Sequence, residues 1–197
     1  VHSSVFTDGD VFDQEIERIF HGTWLYIGHT SEVPRHGDYR TRRMGRQPVL
    51  MMRGGDGQVR VLMNRCRHRG AAVCEGDAGN TKHLRCWFHG WIYDATGKLV
   101  EVPGREAYCD DFDQDAMSLA SPPRVEEYRG FVFASLNPDV PDLETHLGHA
   151  KPMIDLMVDA SPEGTIRVTA GVHKTVYRGN WKLVGMDGYH VHYVHAS

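Results

Sequence analysis

At 197 residues, 41% hydrophobic and 24% charged, the chain has the make-up of a globular protein with one large or two small domains. A formal charge of −4, a pI near 6.4 and no basic run argue against a nucleic-acid surface, and the apolar runs fall far short of the ~20 residues of a membrane helix. Four cysteines are too few for a disulfide scaffold and the first ten residues lack a signal-peptide pattern, so a cytoplasmic protein acting on small molecules or with other proteins is expected.

Residues 10–20, DVFDQEIERIF, place Phe12, Ile16, Ile19 and Phe20 on one face, with Asp10 available as N-cap and Gly22 past the end; this predicts a short amphipathic helix. QPVLMMR and QVRVLMN are β-type runs joined by GGDG, a hairpin turning near Gly54 to Gly57. GWIYDATGKLVEV predicts a second hairpin, turning at Asp94 to Gly97, and GFVFASLN (130–137) a strand that ends at Asn137 and Pro138. Residues 105–123 read as a connecting loop. From NPDVPDLETHLG the composition shifts to turn and then helix, which marks a domain boundary. IRVTAGVHKTVYRGNWKLV then reads as long strands and MDGYHVHYVHAS as a helix.

The residues richest in chemistry fall at the tips of the β unit. Cys66 and His68 form C-x-H; seventeen residues later Cys86 and His89 form C-x-x-H. Two thiolates and two imidazoles suit zinc, or a two-iron cluster with cysteines on one iron and histidines on the other. A common zinc finger puts both cysteines on one knuckle, whereas here each loop carries one donor of each kind, which favours the cluster. Glycines 70, 76, 79 and 90 supply the backbone freedom that such wrapping needs. Cys74 and Cys109 are expected to be buried small hydrophobes, and His83 and Arg69 to lie near the cluster. Near the other end, Asp187, His190 and His195 form a second group. On an ideal helix Asp187 and His190 share a face, while His190 and His195 stand about 140° apart, so joint coordination needs a local bulge.

CRHRG followed by CWFHGW resembles the Rieske [2Fe-2S] motif, which implies that Cys66 and Cys86 hold one iron and His68 and His89 the other; Trp87 stands where many members carry proline. The segment GNWKLVGMDGYHVHYVH is similar to the mononuclear-iron motif of the ring-hydroxylating Rieske oxygenases, large (alpha) subunit, most like the benzoate and toluate group. That resemblance implies His190 and His195 as Fe(II) ligands and Asp187 as the acid bridging cluster and iron. His192 does not fit the family's four-residue gap. The sequence departs from the benzoate-type pattern in having about three residues fewer before Asp187 and in lacking Glu-Asn there. The third iron ligand is expected beyond residue 197, so the chain reads as the front part of a longer subunit.

The resemblance implies an α+β fold: an N-terminal helix and linker (1–37) packing on the catalytic domain, an antiparallel β Rieske domain (38–140), and the beginning of a helix-and-sheet, helix-grip-like catalytic domain (141–197). The function implied is a terminal oxygenase that takes NADH-derived electrons through a partner reductase, with or without a ferredoxin, and uses O2 to hydroxylate an aromatic compound, typically by cis-dihydroxylation of an aromatic carboxylate. An α3 or α3β3 assembly is implied, with no nucleic acid and no membrane. The alternative reading is a Rieske electron-transfer protein without oxygenase activity.

Overall fold

The computed structural model describes residues 2–168 and 175–184. After a single turn, α1 (Ser4–Thr7), comes α2 (Gly9–Glu15), capped by Asp8 rather than the expected Asp10. Asp8 has the extended backbone a cap requires, and its carboxylate accepts the N–H of Asp10 at 2.8 Å. The helix then widens into a π turn over Ile16–Phe20, closed by the His21 N–H on the Ile16 carbonyl. Widening changes the angular phase, so Ile16 is buried while Ile19, expected on the same face, is 38% exposed.

The β unit follows in ten strands among the described residues: β1 (Leu25–His29), β2 (Asp38–Met44), β3 (Gln47–Arg53), β4 (Val59–Met63), β5 (Ala78–Asn80), β6 (His83–Arg85), β7 (Ile92–Asp94), β8 (Leu99–Glu101), β9 (Arg124–Tyr128) and β10 (Phe131–Ser135). They make three antiparallel sheets, ordered β1-β10-β9, β4-β3-β2-β5 and β6-β7-β8. Two short helices close the unit, α3 (Leu143–Leu147) and α4 (Ala150–Asp159). Helices with antiparallel sheets give the expected α+β class. β1, which precedes the expected boundary at residue 38, pairs with β10 from Leu25 opposite Ala134 to His29 opposite Phe131, with a register shift between Tyr26 and Gly28.

β3 explains how the sheets stack. Successive side chains of a strand point to opposite faces. Leu50 and Met52 enter one core with Leu62, Leu84, Trp91 and Tyr93, whereas Val49 and Met51 enter a second with Ile27, Val33, Val61 and Val132. Burial on both faces is why the run QPVLMMR is apolar without alternation. Each such side chain contributes about 1.5–3 kcal/mol on leaving water. The four-stranded sheet is thus the central layer, with the small sheet β6-β7-β8 on one side and β1-β10-β9 on the other.

Both predicted hairpins form. The β3–β4 turn closes through Gly54 N–H to the Gln58 carbonyl and Gly57 N–H to the Gly54 carbonyl. In the β7–β8 turn the Asp94 carboxylate accepts the N–H groups of Thr96 and Lys98 at 2.8 and 3.0 Å. Gly97 sits there at φ +89°, and a Cβ would lie 2.9 Å from Leu62, so both backbone and packing demand glycine.

The long strands expected from IRVTAGVHKTVYRGNWKLV are absent from its described parts: residues 166–168 and 175–180 are irregular and 181–184 helical. A strand needs a ladder partner; the Val168 N–H instead donates to Ser31 Oγ at 2.9 Å. The helix expected over MDGYHVHYVHAS lies outside the described residues, which end with the helical turn at 181–184. That turn is held by the N-terminal helices. Glu15 accepts from the Trp181 indole at 2.9 Å and the Lys182 ammonium at 2.5 Å, Phe20 packs edge-on to Trp181 at 5.1 Å, and the Asn180 amide donates to the Phe6 carbonyl.

The donated hydrogen bonds of Lys182 and Trp181 hold the Glu15 carboxyl below its ordinary value. A carboxyl so lowered adds stability that is complete above the unfolded-state pKa and is lost as pH falls through the folded one. Amide protection over residues 181–184 should therefore fall as pH drops through the carboxylate range, and E15Q should show weaker, pH-flat protection. Protection that does not change with pH in the unmodified protein would contradict this.

Candidate metal centre

The two predicted loops are built alike. In the first, the Cys66 N–H donates to the Ala71 carbonyl at 2.8 Å and the Gly70 N–H to the Cys66 carbonyl at 2.9 Å; in the second, the Cys86 N–H donates to the Trp91 carbonyl at 2.8 Å and the Gly90 N–H to the Cys86 carbonyl at 2.9 Å. The closing residues sit four and five positions after each cysteine, and Gly70 and Gly90 have nearly the same left-handed φ, +77° and +75°. Any other residue at those two positions would be strained. Glycines 76 and 79, also expected to serve the loops, lie instead beside the Tyr39 ring.

The sheets carry these loops. β4 delivers Asn64, whose buried side chain accepts the N–H groups of Val73 and Cys74, each at 3.0 Å, and donates to the Cys74 carbonyl at 2.7 Å. One amide thereby closes the far end of the first loop. β7 delivers Tyr93, fully buried, whose hydroxyl lies 3.2 Å from Cys66 Sγ and accepts the Arg67 N–H at 3.0 Å. Burial raises the Tyr93 pKa, so its proton stays on and is available to a sulfur acceptor.

The donors divide by kind. Cys66 and Cys86 are buried at 3% and 2% exposure, and His68 and His89 lie outward, half-buried and exposed, with ring centroids 4.5 Å apart. Burial pushes the Cys66 thiol up, opposed by the Tyr93 hydroxyl and reinforced by the adjacent Cys86. Binding a cation must therefore displace that proton. Burial lowers the pKa of His68, followed by the charges of His89 and Arg69, which keeps the ring neutral and able to ligate. Its Nδ1 is buried without a hydrogen-bond partner. A buried, unpaired imidazole nitrogen is costly unless something not made of protein binds it. Among the described residues no group of three or more His, Cys, Asp or Glu side chains surrounds a single point for one metal ion. A cysteine pair beneath and a histidine pair outside fit a [2Fe-2S] group, whose two irons each need one pair from the protein.

Other expectations divide. Cys74 is buried as expected, and burial raises its thiol pKa to about 11. Cys109 is exposed, not buried, because it lies in an outward loop between two short 3-10 turns. Arg69 acts on His68 through its charge, but His83 faces Asp94 across the β6–β7 ladder rather than the donors. Asp187, His190, His192 and His195 lie outside the described residues. Asn64, Trp91 and Tyr93 are functional residues that motif and spacing do not single out. Tyr93 and Trp91 share one face of β7 and its approach, a period-two signal; the Asn64 clamp is formed with residues nine and ten positions away and leaves no periodic trace.

Two loops of this kind, each giving one buried thiol and one outward imidazole, define an iron–sulfur domain of the mixed cysteine–histidine class. A family model of the Rieske [2Fe-2S] domain matches residues 23–128, and the chain belongs to that family. It is 45% identical to the toluate 1,2-dioxygenase subunit alpha of Pseudomonas putida over 97% of this chain and 43% of that protein, and 43% identical to the anthranilate 1,2-dioxygenase large subunit of Acinetobacter baylyi over 98% and 42%. Among solved structures, naphthalene 1,2-dioxygenase from Rhodococcus sp. bound to indole matches with a TM-score of 0.91 at 37% identity, over 100% of this chain and 46% of that one. The chain thus spans less than half the length of these relatives. No helix among the described residues is long and apolar enough to cross a membrane.

Replacing Asn64 with Ala removes one acceptor for two buried N–H groups and one donor to a carbonyl. This should cost roughly 2–4 kcal/mol by the usual penalty for orphaned buried groups, read as a lower urea midpoint, and should reduce the iron and acid-labile sulfide recovered per chain. Unchanged stability and iron content would refute the clamp.

Proposed function

We propose that the chain is the electron-receiving part of a terminal aromatic-ring oxygenase. The observation that carries the reading is the division of donors at the loop tips: sulfurs buried under the sheets, imidazoles facing out where a redox partner can approach. The relatives named as alpha or large subunits of toluate and anthranilate dioxygenases, matched along nearly the whole chain, support an aromatic carboxylate as substrate. In this reading Cys66 and Cys86 hold the inner iron and His68 and His89 the outer. The [2Fe-2S] group supplies one-electron storage when bound, and Rieske potentials of about −150 to +300 mV let it accept from a flavin or ferredoxin donor fed by NADH.

His190 and His195 are the proposed ligands of a mononuclear Fe(II), with a carboxylate beyond residue 197 completing the facial triad. Asp187 is the proposed hydrogen-bonded bridge from a cluster histidine to an iron-ligand histidine. The activity proposed is hydroxylation, typically cis-dihydroxylation, of the aromatic ring with O2. A reductase, with or without a ferredoxin, is the proposed donor, and an α3 or α3β3 oligomer in the cytoplasm the proposed assembly. The division proposed is 1–37, 38–140 and 141–197.

The full-length subunit carrying D187A should keep the Rieske visible spectrum and still be reduced by its reductase, while product formation falls by orders of magnitude. Unchanged turnover would reject the bridge. A colourless protein holding stoichiometric zinc would reject the cluster assignment. Reduction without any product from the unaltered enzyme, across aromatic carboxylates, would favour an electron carrier instead.

A further inference from the structure

Trp91 touches both loops at once. Its carbonyl accepts the Cys86 N–H and so closes the second loop, while its indole lies parallel to the His68 imidazole of the first, centroids 5.0 Å apart and planes within 12°. Trp91 is 2% exposed, so the indole has no room to turn away. It also packs against residues that read from the sequence as mere connection. Phe112 meets it edge-on at 5.9 Å and Tyr108 at 6.3 Å, and these two rings lie 4.8 Å apart. Arg105 stands over the Phe112 ring at 4.9 Å and donates to the Phe112 carbonyl at 3.4 Å, tying the loop down.

Apart from His68, His89 has only exposed rings beside it: Phe88 packs on it at 4.0 Å and is itself stacked on Trp87. His89 is exposed, and its neighbours Phe88 and Trp87 are 50% and 66% exposed. The two histidines are therefore held unequally, one against a rigid plane and one at an open edge.

We propose that Trp91, backed by Phe112, is the positioning residue that fixes the ring plane of His68 and keeps water from its inner face, and thereby sets the reduction potential of the cluster. The proposal rests on the reading of Cys66, His68, Cys86 and His89 as cluster ligands. Two ferric ions, two sulfides and two thiolates sum to zero charge, and one added electron makes the group an anion. Water admitted beside His68 favours the anion, so loss of the indole raises the potential. Rings in parallel contact at this distance contribute beyond simple burial, and phenylalanine keeps part of that contact while leucine does not.

The test uses the full-length, cluster-loaded subunit and reads potential by spectro-electrochemistry and ligand geometry by the reduced-state EPR signal. W91L should raise the potential by an amount equivalent to about a tenfold change in the oxidised-to-reduced ratio, about 59 mV for one electron, and should alter the g values; W91F should return most of both. F112L, which leaves both loops intact, should shift the potential in the same direction by less. An unmoved potential and signal in W91L overturns the proposal, as does W91F shifting as far as W91L. Should W91L lose the cluster, F112L decides: a rise supports the proposal, and no change overturns it. Unaltered protein without the reduced-state signal would instead overturn the ligand reading, and the proposal with it.

Discussion

The structure depends on a backbone constraint repeated twice: a cysteine whose N–H and carbonyl are both taken up by the chain four and five residues later. A loop closed in this way turns the thiol inward, and the residues between the closing bonds are left to face out. The left-handed glycines are the means. With φ near +76°, Gly70 and Gly90 let the chain reverse within five residues, a conformation open to other residues only at a cost. The difference between C-x-H and C-x-x-H is absorbed inside an otherwise common frame, so the two histidines reach the same side and lie 4.5 Å apart.

Two such loops are useful only if they keep their distance from each other, and that is the task of the sheets. β4 and β7 deliver the polar residues that fix the first loop, Asn64 and Tyr93, from two different sheets. Leu50, Leu62, Leu84 and Tyr93 form one continuous core between those sheets. A shift of β3 by one residue would exchange Leu50 and Met52 for Val49 and Met51 on the face below the site. Apolar burial on both faces of β3 sets a high cost against that slip. The buried Glu32 adds a polar lock on the opposite side: its carboxylate meets Arg42 at 2.5 Å and the His29 N–H at 2.9 Å, joining β1 to β2. Arg40 stands 3.8 Å from the same carboxylate, so two guanidinium groups of β2 face one buried acid, and removal of Glu32 would leave both without it.

Much of this was legible in the sequence because it depends on local chemistry. Both hairpins announce themselves by turn residues, and the donor pairs by residue type and spacing. What the sequence hid arises from contacts across the fold. The π turn at Ile16–Phe20 gives no compositional signal and moved Ile19 out of the predicted face. In the described parts of the run that begins at Ile166, β-type residues form no strand, because such residues make one only where another strand offers a ladder. Trp91 is the clearest case. Read along the chain it is one aromatic residue after a glycine, and only the approach of the first loop from twenty-three positions earlier makes it a platform for His68. The aromatic residues behind it, Tyr108 and Phe112, sit in a stretch dominated by aspartates, whose composition spoke for loop and concealed a packing role.

Electron exchange makes two demands that conflict. A centre that reorganises little must be dry and rigidly held, yet the partner must come close to one edge of it. The arrangement here separates the demands by residue type. The sulfurs are placed where exposure is 2–3%, and a tyrosine hydroxyl reaches that of Cys66. The imidazoles form the outer edge, His68 half-buried and His89 exposed. Within that edge the division is repeated: His68 stacks on a buried indole while His89 stands among exposed aromatic rings. Burial is thus concentrated around one histidine and exposure around the other, and the ring plane of the first is set on the side away from solvent.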